Sequence, residues 1–305
     1  MIRRPVDHLP LFFKGAAMGV ADTVPGVSGG TVAFITGIYE ELIQSLARIG
    51  PERLSDLREQ GLRGLWSAIN GNFLLAVFSG LLIALFSVAE VMNWLIIHQR
   101  VLLWAFFFGM IAGSVPLVLA RRRERRPSHW LWLALGTAIG LAITLLAGGQ
   151  TPAALWMVFV AGMIAVSAMV LPGISGSFLL LILGQYEVMV RAVVERDVLM
   201  SAAFGIGAVI GMLSIARILS RLFRRHHDAT VALLTGFMVG SLNALWPWQG
   251  PAEIGMGPRG HLLPAQFEAL TGQPAQLGLG VLCCAVGIVV VVLFARLDPS
   301  GRRAA

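Results

Sequence analysis

The sequence predicts an all-α integral membrane protein made of two inverted repeats, each a re-entrant helical hairpin followed by three transmembrane helices. Three observations carry this expectation: apolar runs long enough to cross a bilayer, a glycine-rich motif that occurs twice, and the placement of the arginines. Of the 305 residues, 57% are hydrophobic and 13% charged, and the mean hydropathy is +0.79. Soluble domains are about half apolar and a quarter charged, so this chain has too little polar surface to face water on all sides.

The first apolar region, residues 11–47, is interrupted by DTVPGVSGG at Asp22 to Gly30. Proline ends a helix and glycine admits turns that other residues resist, so the region is read as a re-entrant hairpin. Before it, Arg3 and Arg4 are followed by Pro5, Asp7, Pro10 and Lys14 rather than by an unbroken apolar core and a small-residue cleavage site. No cleavable signal peptide is expected from that pattern. Residues 51–69 place Leu54, Leu57, Leu65 and Trp66 at near-helical spacing among Arg53, Arg58 and Arg63. They read as a helix lying on the membrane surface, or more plainly as a solvated loop helix. Residues 72–97, 101–120 and 130–147 are the first three spans, each near the roughly 20 residues a crossing needs. A second broken region, 153–190, opens the other half, with spans at 198–216, 229–247 and 277–295. The halves are therefore expected at 1–150 and 151–305.

The repeat is visible in VPGVSGGTVAFITGIYEELI, Val24 to Ile43, set against LPGISGSFLLLILGQYEVMV, Leu171 to Val190. Eight of these twenty positions are identical, where chance gives about one or two. A second match pairs FFGMIAGS at Phe107 with LTGFMVGS at Leu234. The offset falls from 147 to 127 because the first half carries the surface-helix insert.

Arginine placement sets the expected topology. If each broken region enters and leaves on one side, 19 of the 23 Lys and Arg fall on the side of both termini, and only Arg100, Arg191, Arg196 and Arg259 fall opposite. If each broken region crosses once, the split is 11 against 12 and the positive-inside bias disappears. A hairpin plus three crossings is an odd number of traversals, which inverts the second half relative to the first, as in transporters whose discontinuous helices meet near the midplane. Both termini are expected in the cytoplasm.

Backbone that leaves helical geometry inside lipid must line a cavity or be buried in protein. After each PG turn a second half-helix, 29–45 in the first copy, is expected to begin near Ser28 or Ser175 with unsatisfied N–H groups and its positive dipole end at the turn. Glycine backbone and a serine hydroxyl at such a terminus suit a phosphate; the plain alternative is a tight turn with a serine N-cap. Asp22, opposite Met169 in the second copy, is an intramembrane acid and so a candidate for proton or cation binding, or for capping the turn. Tyr39, Glu40, Tyr186 and Glu187 lie about 18 Å further along such a helix. They are expected nearer the membrane faces, the tyrosines as interfacial anchors and the glutamates as gating or coupling groups. Glu90 and Arg217 align across the 127 offset; Arg217 would pair with Glu90, approach a phosphate or snorkel to the interface. The six histidines scatter over segment ends and loops, and no metal or catalytic cluster is expected. Cys283 and Cys284 are adjacent in the last span and read as packing residues. No basic soluble domain exists to carry nucleic-acid binding.

GAAMGVADTVPGVSGGTVAFITGIYEELI, the later LPGISGSFLLLILGQYE and GFMVGSLNALWPW resemble the bacterial polyprenyl-phosphate translocase family, over essentially the whole chain. The resemblance implies a transporter, not an enzyme, that returns undecaprenyl phosphate from the outer to the cytoplasmic leaflet of the bacterial cytoplasmic membrane for reuse in peptidoglycan and cell-wall synthesis. It implies a site in Asp22, Pro25, Gly26, Ser28, Gly29, Gly30 and Thr31 and in Pro172, Gly173, Ser175, Gly176 and Ser177. No cofactor is expected, and coupling to the proton gradient through Asp22, Glu40 or Glu187 is a hypothesis. Two other readings share the chemistry. Membrane polyprenyl-pyrophosphate phosphatases carry a PGxS-type motif, but with an arginine beside the serine that clamps the diphosphate; PGVSGG and PGISGS have none. A carrier for a small soluble anion would need the same site without a path for a lipid tail.

Overall fold

The structure, a computed structural model, describes residues 8–24, 26–124, 126–146, 151–250 and 260–297. Among the described residues every regular element is helical, apart from one isolated bridge between Gln249 and His261. The first broken region forms α1 (His8–Asp22), α2 (Gly29–Ile35) and α3 (Tyr39–Ala47). A 3-10 turn at Pro51–Arg53 leads into α4 (Leu54–Ala68), which is interrupted at Gly61. Then come α5 (Gly71–His98), α6 (Arg100–Leu119) and α7 (Ser128–Leu145). The second broken region forms α8 (Leu155–Val170), α9 (Gly176–Ile182) and α10 (Tyr186–Val194). It is followed by α11 (Val198–Arg225), α12 (His227–Ser241), the short α13 (Pro264–Thr271) and α14 (Leu277–Leu297). Helices α5, α6, α7, α11, α12 with its 3-10 extension, and α14 are long and apolar enough to cross a membrane. They coincide with the six spans read from hydropathy, and the chain is an all-α, multi-pass membrane protein.

The expected continuous second half-helix is not found. The second half-helix of each broken region does not run on continuously, but stops after 7 residues. The stop is a Schellman cap in both copies, with a glycine in the left-handed region, Gly37 at φ 77° and Gly184 at φ 66°. The residue after each glycine donates back across the last turn, Ile38 to Ala33 at 3.1 Å and Gln185 to Leu180 at 2.9 Å. After the second glycine, α10 leaves α9 at 106°.

Two compact units share the chain. The first comprises described residues within 1–89, 148–171 and 175–227; the second those within 90–147, 172–174 and 228–305. Each draws on both sequence halves. In the first unit, α1 meets α5 where Gly15 abuts the Val77 backbone and Gly80 the Phe12 carbonyl; α8 meets α11 where Gly162 abuts Phe204 and Gly207 the Phe159 carbonyl. Gly15 and Gly162, like Gly80 and Gly207, are equivalent positions of the repeat. A Cβ at any of these four would collide with backbone, so small residues here let apolar helices touch where no hydrophobic force drives them together.

The second unit is knit across the halves. Gly109 of α6 abuts Cys284 of α14 and Gly287 of α14 abuts Phe106 of α6; Gly136 of α7 abuts Leu233 of α12 and Gly236 of α12 abuts Leu133 of α7. In the segment joining α12 to α14, which the sequence left unassigned, Trp248, Leu262, Phe267 and Ala275 form a small apolar cluster with Val101 of α6. Trp248 Nε1 donates to the Ala275 carbonyl at 2.9 Å and Trp246 Nε1 to that of Leu262 at 3.0 Å.

Candidate functional site

In the first unit the first glycine motif meets the end of α8, the helix that leads into the second motif. α1 ends at Asp22, the chain turns through Gly26 at φ 94°, and Ser28 in extended geometry caps α2. Three donors at this terminus are satisfied within the motif. Gly29 N donates to the Asp22 carboxylate at 2.6 Å, Gly30 N to Ser28 Oγ at 3.1 Å, and Thr31 N to the Ser28 carbonyl at 2.9 Å. The Asp22 carboxyl group therefore occupies the terminus, and a Cβ on Gly29 would run into it. Thr31 is fully buried. Pro25 lies outside the described residues.

A helix leaves its last four carbonyls without helical partners, and α8 ends immediately before the second motif. Ser28 Oγ donates to the Met169 carbonyl at 2.9 Å and approaches that of Leu171 at 3.3 Å. Tyr39 OH donates to the Val170 carbonyl at 3.1 Å. Gly30 lies so close to the same carbonyls that a Cβ would come within 2.7 Å of the Val170 oxygen. The first motif thus caps the helix that delivers the second.

The second motif repeats the backbone but not the capping. Gly173 has φ 84° against 94° for Gly26, and Ser175 is extended like Ser28. Yet no side chain caps α9, because Met169 stands where Asp22 stands in the first copy, and the hydroxyls of Ser175 and Ser177 face each other at 3.0 Å. Gly176 packs on the Ala165 carbonyl. Pro172 and Gly173 belong to the second unit, where Gly173 lies against the backbone of Phe237 and Met238 with no room for a Cβ.

Tyr39 is not an interfacial anchor: it is 1% exposed and packs against Phe34 and Phe223. The glycine break at Gly37 folds it back beside the motif instead of carrying it toward a membrane face. Its counterpart Tyr186 is exposed. Glu40 contacts His227, with Oε1 2.9 Å from Nε2. Glu187 lines a cavity of about 350 Å³ with Arg191 and Glu195. Glu90 is exposed on α5, and Arg217 Nη2 donates to the Ile49 carbonyl at 2.7 Å.

Three residues at this site were not singled out from the sequence. Lys14 Nζ donates to the Thr36 carbonyl at the end of α2, at 2.6 Å. At the equivalent Leu183 carbonyl the donor is Thr151 Oγ1, which itself accepts from the fully buried Gln185 at 2.7 Å. An ammonium inside the first apolar region was a readable signal, since intramembrane charges are costly and functional; Thr151 and Gln185 carried none. Among the described residues no group of three His, Cys, Asp or Glu could hold a metal.

Comparison with known proteins bears on what this arrangement does. Residues 18–262 match a protein family described as undecaprenyl phosphate translocase-like. The chain is 40% identical over 300 residues to a polyprenyl-phosphate transporter of Vibrio cholerae serotype O1 (strain ATCC 39315 / El Tor Inaba N16961), covering 95% of this chain and 97% of the relative. It is 35% identical over 252 residues to a polyprenyl-phosphate transporter of Staphylococcus aureus (strain NCTC 8325 / PS 47), covering 77% and 84%. Both relatives are named as transporters and neither as an enzyme. No solved structure matches the chain significantly.

Proposed function

The chain belongs to the undecaprenyl phosphate translocase-like family, and from that premise we propose that it carries undecaprenyl phosphate, or a related polyprenyl phosphate, from the outer to the cytoplasmic leaflet of the bacterial cytoplasmic membrane. Both termini face the cytoplasm, and the recovered lipid re-enters peptidoglycan and cell-wall synthesis. The two halves work as inverted repeats whose broken regions dip in from opposite faces. The paired identity of PGVSG and PGISG and the arginine bias support that arrangement.

The observation that carries the reading is the Asp22 carboxylate on Gly29 N. This turn holds a carboxyl group by its backbone. The repeated turn keeps the glycines and the serine but lacks the acid, so the lipid phosphate takes the corresponding place at Gly176 and Ser177, with the Ser175 and Ser177 hydroxyls as further donors. Ser28 and Tyr39 hold the carbonyls at the end of α8, where the chain enters the second motif. A proton on Asp22, on Glu40 of the His227 pair or on Glu187 couples transport to the gradient.

Leaflet-resolved transport of short-chain polyprenyl phosphate in liposomes tests this. Wild type should move the lipid, and Ser175→Ala and Ser28→Ala should lower the rate at least tenfold with the fold intact. Full rates in both variants would return the motifs to tight turns. Release of inorganic phosphate from undecaprenyl pyrophosphate would favour a phosphatase, and equal competition by soluble phosphate a small-anion carrier.

A further inference from the structure

Away from the motifs, the first unit contains a second polar cavity, of about 480 Å³, at the ends of α3 and α11. Arg48, Arg53, Arg217, Arg221 and Arg224 line it, and Glu52 is its one acidic wall residue. Five guanidiniums around one small volume repel one another unless an anion joins them. Glu52 and the Arg217 guanidinium both crowd the Gly50 α carbon, Arg217 donates to the Ile49 carbonyl, and Arg224 to Ser220 Oγ at 2.6 Å. Arg48 and Arg221 are exposed, and neither is in an ion pair among the described residues. Their planar donor forks match phosphate oxygens.

The depth is right for a lipid head. α11 has 28 residues, about 42 Å of helix, against a hydrocarbon core about 30 Å thick. Its apolar stretch ends before Arg217, so the last turns stand at head-group level. The repeat supplies a contrast. The counterpart cavity at the end of α10 is lined by Glu187, Glu195 and Asp197 with Arg191, and the residue equivalent to Arg48 is Glu195. One copy of the repeat ends in a cationic cavity and the other in an acidic one.

We propose that the cavity lined by Arg48, Arg53, Arg217, Arg221 and Arg224 binds a phosphomonoester, as the station where the head group is received on the arginine-rich side. Its role in transport rests on the translocation reading above. A phosphomonoester carries about 1.5 to 2 negative charges at neutral pH, whereas the phosphodiester of a bulk anionic lipid carries one, so this site discriminates between them by charge. The acidic counterpart repels the same head group on the other side, which gives the cycle an electrostatic direction.

The test uses the full chain in nanodiscs, titrated with short-chain polyprenyl phosphate. The Arg48→Gln, Arg221→Gln double variant should lose at least tenfold in affinity, while Arg58→Gln with Arg123→Gln, which removes the same charge from exposed sites elsewhere, should lose less than twofold. Binding within twofold of wild type in the first double variant, equal losses in both, or displacement by phosphatidylglycerol at the same concentration as by polyprenyl phosphate would each overturn the proposal. Displacement by inorganic phosphate at equal concentration assigns the site to free phosphate, and resistance to it assigns the site to a lipid head; either supports a phosphate site. Liposome transport separates this from the function reading. Arginine-dependent binding without any wild-type transport would overturn translocation and keep the site, whereas wild-type transport with unchanged binding in the double variant would overturn the site alone.

Discussion

Ser28 Oγ donates to the carbonyl oxygen of Met169 at 2.9 Å, joining the first motif to the end of α8, 141 positions further along the chain. Tyr39 makes the neighbouring bond to Val170. Together they take up carbonyls that α8 cannot satisfy by itself, so the end of α8 cannot move without breaking bonds to the first motif.

Removing the Tyr39 hydroxyl should therefore cost stability. Tyr39→Phe leaves the Val170 carbonyl without that donor in a buried setting, a loss of about 1 to 3 kcal/mol. Thermal unfolding in detergent should show a lower Tm for Tyr39→Phe and little change for Tyr186→Phe, whose ring is exposed. Equal Tm values for Tyr39→Phe and wild type would show that the bond is not made.

Asp22 separates two roles by the substitution chosen. Asp22→Asn keeps an oxygen for Gly29 N and should fold with a Tm close to wild type, whereas Asp22→Ala orphans that donor and should cost about 1 to 3 kcal/mol. If Asp22 carries the coupling proton, Asp22→Asn in proteoliposomes should transport at a rate that no longer responds to an imposed proton gradient. Unchanged dependence in Asp22→Asn, Glu40→Gln and Glu187→Gln alike would eliminate all three.

Two glycines of α11 offer a matched pair. Gly207 touches the Phe159 backbone of α8, while Gly205 has open space around its α carbon. Gly207→Ala should force the helices apart and cost about 1 to 3 kcal/mol. Gly205→Ala should be neutral or stabilise by up to about 1 kcal/mol, from helix propensity alone. Expression level and Tm of the two variants check this.

Cysteine labelling tests the expected sidedness. In a Cys283→Ser, Cys284→Ser background, Arg123→Cys should be shielded from an impermeant thiol reagent added outside intact cells, and Asp197→Cys should react. Reaction of both from one side would mean that a broken region crosses the membrane.

The six crossings were legible because nothing but a span explains 20 apolar residues in sequence. The PG turns were legible because proline and a doubled motif mark them. The second break in each broken region was not anticipated, although Gly37 and Gly184 were among the identical pairs, because a lone glycine in an apolar run is as readily absorbed into a helix. That omission misplaced Tyr39, whose position depends on the direction of the chain after Gly37. The partners of Lys14, His227 and Gln185 are set by folding between distant segments, and no local pattern announces them. Nor did the sequence distinguish the two termini beyond the absence of an acid at Met169; that one is capped and the other not became visible only with Asp22 in place.

The crossed pairing of α6 with α14 and α7 with α12 has a consequence for how the chain is made. Gly109 of α6 leaves the ribosome about 175 residues before its neighbour Cys284, which at about 5 to 20 residues per second is a delay of roughly 10 to 35 seconds. During that interval α6 is in the bilayer with its small-residue face turned to lipid or to the insertion machinery. A nascent chain halted after α7 would contain every residue of the first repeat and still lack the partners of its last two helices. The last two helices of the first half gain their neighbours only as α12 and then α14 are made.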